Sequence, residues 1–201
     1  LKKMVLIVFI IAFFALFVFM GFRGSITVSG NKFTVKNSNI PDSFNGYKIA
    51  QISDLHNTEF GIDNELLIEE LRDCQPDIIV ITGDLVDSYK TNIDFGIEFG
   101  AKAVEIAPTY YVTGNHEYRI DDLARIEDGL QASGVVVLKD EKVLIEKSDK
   151  KIVLIGVDDP AFKKNYYFDK YDLWRGYDLQ QLIGENKEDF CILLSHRAEL
   201  F

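Results

Sequence analysis

The chain has 201 residues, a length that allows one domain of common size and a short additional segment. Its formal net charge of −10 at pH 7 argues against nucleic-acid binding, which requires a basic surface. The hydrophobic content of 47% allows a sizeable core, and the two cysteines are too few for a disulfide framework.

The N-terminus carries a long apolar segment. The residues from Met4 to Phe22 contain no charge, and as a helix they would extend roughly 28 Å, close to the hydrocarbon thickness of a bilayer. A cleaved signal peptide is the alternative, but residues 18–22 fit a cleavage site poorly. A buried globular helix is disfavoured because the segment has no polar face. We therefore predict a transmembrane signal anchor over residues 1–23.

The charges beside this segment bear on its orientation. Lys2 and Lys3 favour a cytoplasmic N-terminus, whereas Arg23 on the other side opposes it. We expect a single-pass protein of the cell membrane with its main domain outside the cytoplasm. Residues 24–46 are predicted to form a lead-in segment with short strands or a hairpin at 26–28 and 32–36, and residues 47–201 to form the domain.

Beyond residue 47, short apolar runs alternate with helical patterns, which is typical of a layered α/β domain. The predicted strands are Lys48–Ile52, Ile78–Ile81, Thr109–Val112, Val135–Leu138, Val143–Ile145, Ile152–Ile155 and Cys191–Leu194. Helical spacing predicts helices after Asp63, over Phe95–Ile106 and over Leu123–Leu130, with Asp63 and Asp121 as candidate caps. Residues 141–151 are predicted to form a hairpin.

Four polar motifs follow predicted strands. They are Asp54-Leu55-His56, Gly83-Asp84-Leu85-Val86-Asp87, Gly114-Asn115-His116-Glu117 and Ser195-His196. Functional groups in open α/β sheets gather outside the carboxyl ends of the strands, and all four motifs occupy that position. Three of the motifs contain the three histidines of the chain.

The first two motifs contain candidate cation ligands. In an extended segment Asp54 and His56 project to the same side and could bind one cation, although a polar turn with a helix cap explains them equally well. Asp84 follows a glycine, where the backbone can turn sharply, and its carboxylate could bridge two cations. An ordinary Gly-Asp turn is the alternative.

The other two motifs add an amide and two imidazoles. Asn115 could offer its amide oxygen to a metal, while His116 could donate a proton or a hydrogen bond to a reacting oxygen. Taken alone, an Asn-containing turn and a structural histidine at His196 are the simpler interpretations. The four motifs in this order are improbable by chance.

In this order the motifs resemble the calcineurin-like metallophosphoesterases, over roughly residues 47–201. The N-terminal anchor is similar to the membrane-anchored bacterial branch, which includes enzymes resembling the hydrolase of UDP-2,3-diacylglucosamine. The family fold is a sandwich of two β-sheets flanked by helices. The resemblance implies that Asp54 and His56 hold a first metal ion and that Asp84 bridges two.

The resemblance also implies the rest of the site. Asn115 and His196 would hold the second metal ion, His116 would face the scissile phosphate, and Asp87 would orient His116. Two divalent ions, manganese, iron or zinc, would activate water for attack on phosphorus. The substrate would be a phosphorylated small molecule or a lipid-linked compound, and the membrane would be contacted through the N-terminal helix.

One family motif is absent from the 201 residues. Family members carry a final Gly-His-x-His that completes both metal shells, and only Arg197–Phe201 follow His196. We expect that the sequence is truncated and that the chain as given holds metal weakly and has little or no activity. The alternative function is a non-catalytic, membrane-anchored interaction module on the same fold.

Overall fold

The computed structural model describes residues 9–16, 28–162 and 179–200. The chain divides into two compact units, one comprising residues 1–32 and 59–70 and the other residues 33–58 and 71–201. The second unit contains both β-sheets and every residue predicted for the site.

The N-terminal part of the chain contains one described helix, α1, at residues 9–16. The rest of the predicted anchor, residues 1–8 and 17–23, lies outside the described residues. Among the described residues, no helix combines the length and apolar character needed to cross a bilayer. The strand predicted at residues 32–36 is wrong. Phe33 and Val35 are 89% and 72% exposed, so none of the described residues covers the apolar side of this segment.

The first sheet is parallel and has the strand order β1-β2-β3-β4. Its strands are β1 (Ile49–Ile52), β2 (Ile78–Thr82), β3 (Thr109–Val112) and β4 (Val136–Val137). The helices between them are α2 (Glu65–Cys74), α3 (Ile93–Val104) and α4 (Leu123–Ala132). Because β1, β2 and β3 run in the same direction, their carboxyl ends lie at one edge of the sheet.

The second sheet has the order β5-β6-β7. The strands β5 (Glu141–Lys147) and β6 (Lys150–Gly156) form an antiparallel hairpin, which confirms the predicted hairpin. The third strand, β7 (Cys191–Leu194), pairs with β6 in parallel. A short helix, α5 (Leu179–Ile183), packs against Val153 and Ile155 of β6.

One hydrophobic cluster contains residues of both sheets. Ile78 and Val80 of β2 lie in it together with Leu154 of β6 and Leu194 of β7. Successive side chains of a strand point to opposite faces, so the alternation of β2 directs Ile78 and Val80 to the same side. The mixed α/β fold predicted from the sequence, with a parallel sheet and helices, is confirmed.

The helix caps differ in part from those predicted. Asp63 has a φ of 53°, which is incompatible with an ordinary cap position, so that prediction is wrong. The cap position of α4 is Asp122 rather than Asp121, and its side chain makes no capping hydrogen bond. The start of α3 is capped instead by Asn92, whose side chain accepts a hydrogen bond from the Phe95 N–H at 3.2 Å.

Candidate metal centre

The segments that follow β1, β2, β3 and β7 bring five side chains of the predicted site together. Their potential ligand atoms form two groups, each with all atoms within 4.8 Å of one another. One group is His56, Asp84 and His116, and the other is Asp54, Asp84 and His196. Asp84 belongs to both groups, so its carboxylate lies between them.

Asp84 is buried, and both of its carboxylate oxygens have defined neighbours. Oδ1 accepts a hydrogen bond from the His116 N–H at 2.8 Å, while Oδ2 lies 3.5 Å from His56 Nε2 and 3.3 Å from His196 Nε2. Burial alone would raise the pKa of Asp84, but the hydrogen bond from His196, the His116 N–H and the nearby imidazoles hold that pKa below its usual value. Asp84 is therefore ionised at neutral pH, as a metal ligand must be.

Three of these side chains extend from strained backbone. Asp54, His56 and Asp84 have φ values of 56°, 47° and 51°, in the left-handed region that costs an L-residue roughly 1–2 kcal/mol. Hydrogen bonds between the loop after β1 and the loop after β2 maintain this strained backbone. They run from the Asp54 N–H to Gly83 O at 3.1 Å and from the His56 N–H to Asp84 O at 2.9 Å. Backbone strain of this kind is concentrated at functional sites in proteins.

Two glycines allow the loops after β2 and β3 to touch. A Cβ at Gly114 would lie 2.2 Å from Asp84 Oδ1, and a Cβ at Gly83 would lie 2.6 Å from the backbone of Gly114. Both distances are too short for any side chain, and Gly83 also has a φ of 85°. The glycines of these two motifs are therefore required by the close approach of the loops.

His196 is oriented by a backbone carbonyl. Its Nδ1 donates a hydrogen bond to Thr82 O at 2.9 Å, which leaves Nε2 directed at Asp84. Such a bond on the far ring nitrogen is how proteins fix ligand histidines. Burial lowers the pKa of His196, but the hydrogen bond and charge of Asp84 outweigh that effect and raise it to about 9 in the metal-free protein. A metal ion would have to replace this proton.

His116 is oriented from the loop after β2. The Ser88 N–H donates a hydrogen bond to His116 Nδ1 at 3.1 Å, so Nδ1 is an acceptor and the proton of the neutral ring is on Nε2. Asp87 Oδ2 lies 3.7 Å from the same Nδ1, beyond hydrogen-bond distance. Asp87 Oδ1 instead accepts from the N–H groups of Tyr89 and Lys90 at 2.7 and 2.8 Å. The role of Asp87 in orienting His116 stays a prediction, and Ser88 was missed.

Glu117 is a second residue that sequence reasoning left without a role. Its side chain is fully buried, and its oxygens accept hydrogen bonds from the N–H groups of Asp84 at 2.9 Å, Gly114 at 2.8 Å and Val86 at 3.1 Å. Burial raises the pKa of Glu117, and these three donors act in the opposite direction. No local sequence pattern predicts a contact such as that between Glu117 and Val86, which are 31 residues apart. Glu117 ties the loop after β2 to the loop after β3.

The donor set suits a divalent transition metal. Imidazole nitrogen and carboxylate oxygen are the ligands that manganese, iron and zinc accept. Ligands sharing one ion with bonds near 2.1 Å are separated by roughly 3–3.5 Å, close to the separations around Asp84 Oδ2. Asp54 lies near both histidines, because it belongs to the group with His196 and its Oδ1 is also 3.9 Å from His56 Nε2. Asn115, half-buried beside His116, is the remaining predicted ligand.

Comparison with known proteins points to the same chemistry. The family model described as calcineurin-like phosphoesterase matches residues 47–200. A Bos taurus protein named "Transmembrane protein with metallophosphoesterase domain" is 30% identical over 167 residues, which is 79% of this chain and 36% of that protein. The Bacillus subtilis "Uncharacterized metallophosphoesterase YkoQ" is 31% identical over 137 residues, covering 65% of this chain and 50% of that protein.

A third relative extends over more of the chain. An "Uncharacterized metallophosphoesterase" of Aquifex aeolicus is 29% identical over 171 residues, which is 84% of this chain and 62% of that protein. The chain thus spans between 36% and 62% of the length of these three relatives. The family match includes every side chain gathered around Asp84. The chain belongs to the calcineurin-like phosphoesterase family.

Proposed function

We propose that this protein is a phosphoester hydrolase that holds two divalent metal ions around Asp84. The observation that carries the proposal is the shared position of this carboxylate. Asp84 Oδ2 faces His56 Nε2 on one side and His196 Nε2 on the other, at 3.5 and 3.3 Å. A single ion would need only one of the two ligand groups, so a carboxylate common to both favours a dinuclear centre. Membership of the family supports the hydrolase.

The ligands divide between two positions in this proposal. Asp54, His56, Asn115 and His196 complete the two shells, with Asp84 as the bridge. When bound, the metal ions would supply Lewis acidity toward the phosphoryl oxygens and lower the pKa of a water molecule for attack on phosphorus. Manganese, iron and zinc all suit these ligands.

His116 is the proposed proton donor. Because Ser88 donates to Nδ1, the proton of neutral His116 is on Nε2, the nitrogen on the opposite side of the ring. That N–H can donate to the leaving oxygen as the phosphorus–oxygen bond breaks. Asp87 Oδ2 lies 3.6 Å from His56 Nδ1 and 3.7 Å from His116 Nδ1, so this carboxylate is placed between the two imidazoles.

The substrate class and the location of the enzyme are proposed more broadly. We infer a phosphorylated small molecule or a lipid-linked phosphoester as substrate, without nucleic-acid binding, because the chain is strongly acidic. Relatives from Bos taurus and Danio rerio are named as transmembrane proteins, which supports a membrane attachment through the apolar N-terminal segment. The two-sheet sandwich of the family is the proposed scaffold.

The alternative, a non-catalytic interaction module on the same fold, has no better support. A docking module has no need of a buried carboxylate between two imidazoles. The strained backbone of Asp54, His56 and Asp84 is likewise a cost that a docking surface has no reason to retain.

Metal binding tests the proposal directly. Titration calorimetry with Mn²⁺ on the complete reading frame that contains these residues should give two ions per wild-type chain, and Asp84→Asn should weaken the binding of both ions by at least about 100-fold, since the amide loses the bridging charge. Asp94→Asn is a matched control, because Asp94 lies on the surface in α3. The complete reading frame that contains these residues should hydrolyse bis(4-nitrophenyl) phosphate with Mn²⁺. Wild-type affinity and turnover in Asp84→Asn would refute the bridging role.

A further inference from the structure

Arg197, the residue after His196, forms an ion pair with the buried carboxylate of Asp159. Asp159 follows β6 and is fully buried. Its Oδ2 accepts from Arg197 Nε at 2.6 Å, and its Oδ1 accepts from Arg197 Nη2 and from the Ala161 N–H, the latter at 2.8 Å. The guanidinium therefore grips the carboxylate with two parallel hydrogen bonds, the geometry that fixes an arginine most firmly.

The same pair is joined to the loop after β3. The Asp159 N–H donates to Thr113 Oγ1 at 3.2 Å, and Thr113 Oγ1 donates to Asp158 Oδ1 at 2.8 Å. Thr113 is fully buried and immediately precedes Gly114, the glycine that contacts Asp84. The segments after β3, β6 and β7 are thus connected by one buried polar network.

This network constrains the backbone at His196. Arg197 is the next residue, so anchoring its side chain on Asp159 fixes the end of the loop that carries His196. On the other side of the ring, the hydrogen bond from Nδ1 to Thr82 O fixes the imidazole itself. With both constraints in place, Nε2 lies 3.3 Å from Asp84 Oδ2.

We propose that Asp159 and Arg197 are a positioning pair that sets His196 against Asp84 and thereby controls the metal position to which His196 belongs. In this proposal the pair acts through His196 and is not itself a metal ligand. The inference rests on the proposed function in taking His196 as a metal ligand. The orientation of His196 in the metal-free protein does not depend on that assumption.

The first variant to test is Arg197→Lys, which keeps the positive charge but loses the two parallel hydrogen bonds to Asp159. Nitrogen NMR of the metal-free protein should show His196 Nδ1 losing its hydrogen-bonded signature, with the signals of His56 unchanged. Calorimetry with Mn²⁺ should show affinity falling by about 10–100-fold at one position and remaining at the wild-type value at the other, as expected when a partner of a ligand is lost. Arg125→Lys, in the exposed pair with Asp94, is the matched control and should change neither readout.

If the poorly paired carboxylate of Asp159 prevents Arg197→Lys from folding, a second variant still tests the proposal. Asp159→Asn with Arg197→Gln replaces both charges by amides, so no charge remains buried without a partner. The same selective loss is expected. Equal weakening of both metal positions, or unchanged His196 signals in both variants, would overturn the positioning role. If the wild-type protein binds no Mn²⁺ but Arg197→Lys still shifts His196 alone, the proposed function fails and the positioning pair stands.

Discussion

The substitution Glu117→Gln tests whether a buried carboxylate holds the two central loops together. Glu117 Oε2 accepts from the N–H groups of Asp84 and Gly114, and Oε1 accepts from the Val86 N–H. Glutamine has nearly the same shape but only one acceptor oxygen. If that oxygen takes over the two bonds of Oε2, the amide nitrogen faces the Val86 N–H, and a buried donor is left without an acceptor.

The expected loss follows from these contacts. A buried donor without a partner costs about 1–3 kcal/mol, and the two remaining hydrogen bonds weaken when their acceptor loses its charge. Removing a buried charge offsets part of this, since burial raises the pKa of Glu117. The net expectation is a loss of about 2 kcal/mol in the free energy of unfolding at pH 7, together with at least tenfold weaker Mn²⁺ binding because Asp84 moves.

Equilibrium urea denaturation measures the first effect and calorimetry the second. Glu98→Gln is the matched control, because Glu98 is exposed on α3 and should change stability by less than about 0.5 kcal/mol. If Glu117→Gln matches the control in both assays, Glu117 does not organise the two loops and the reasoning above is refuted.

Three further outcomes follow from the site. Gly114→Ala should lower the free energy of unfolding in urea by about 3 kcal/mol, since its Cβ would lie 2.2 Å from Asp84 Oδ1. Gly46→Ala, with open space at a φ of 76°, should lower it by only about 1 kcal/mol. Equal losses would contradict the close approach of the two loops. In the metal-free protein the pKa of His196 is raised to about 9, so its pairing with Asp84 is fully stabilising below pH 6.5 and is lost as pH rises through about 9. The stability advantage of wild type over His196→Gln should therefore shrink by at most about 1.4 kcal/mol per pH unit across this window, and an advantage that grows with pH would be inconsistent with it. His116→Ala should leave two Mn²⁺ ions bound and reduce turnover in the complete reading frame by about 10²–10⁴-fold, and loss of an ion would instead make His116 a ligand.

Local patterns were sufficient for much of the fold. Apolar runs of strand length predicted β2, β3 and β7 within one residue, because all three are continuous hydrophobic sequence, and β2 and β3 are largely buried in their sheet. Three of the four motifs follow β1, β2 and β3, whose parallel arrangement brings their carboxyl ends to one edge, and His196 joins them from the end of β7 in the second sheet. The strand predicted at residues 32–36 failed because alternation alone does not supply a neighbouring strand.

The parts of the site that depend on contacts distant in sequence could not be predicted. The Ser88 N–H reaches His116 across 28 residues, and Arg197 reaches Asp159 across 38. Each contact depends on how the loops pack after the sheets have formed, and nothing in the flanking residues encodes the partner. The positive φ at Asp54 and His56 is likewise imposed by hydrogen bonds to the loop after β2.

We propose that Asp84 lies between two metal ions. Anomalous diffraction from crystals soaked in Mn²⁺ measures this most directly. We expect two peaks about 3.5–4 Å apart on either side of the Asp84 carboxylate, one beside His56 and the other beside His196. A single peak with Asp84 as a terminal ligand, or two ions bound away from Asp84, would contradict the account.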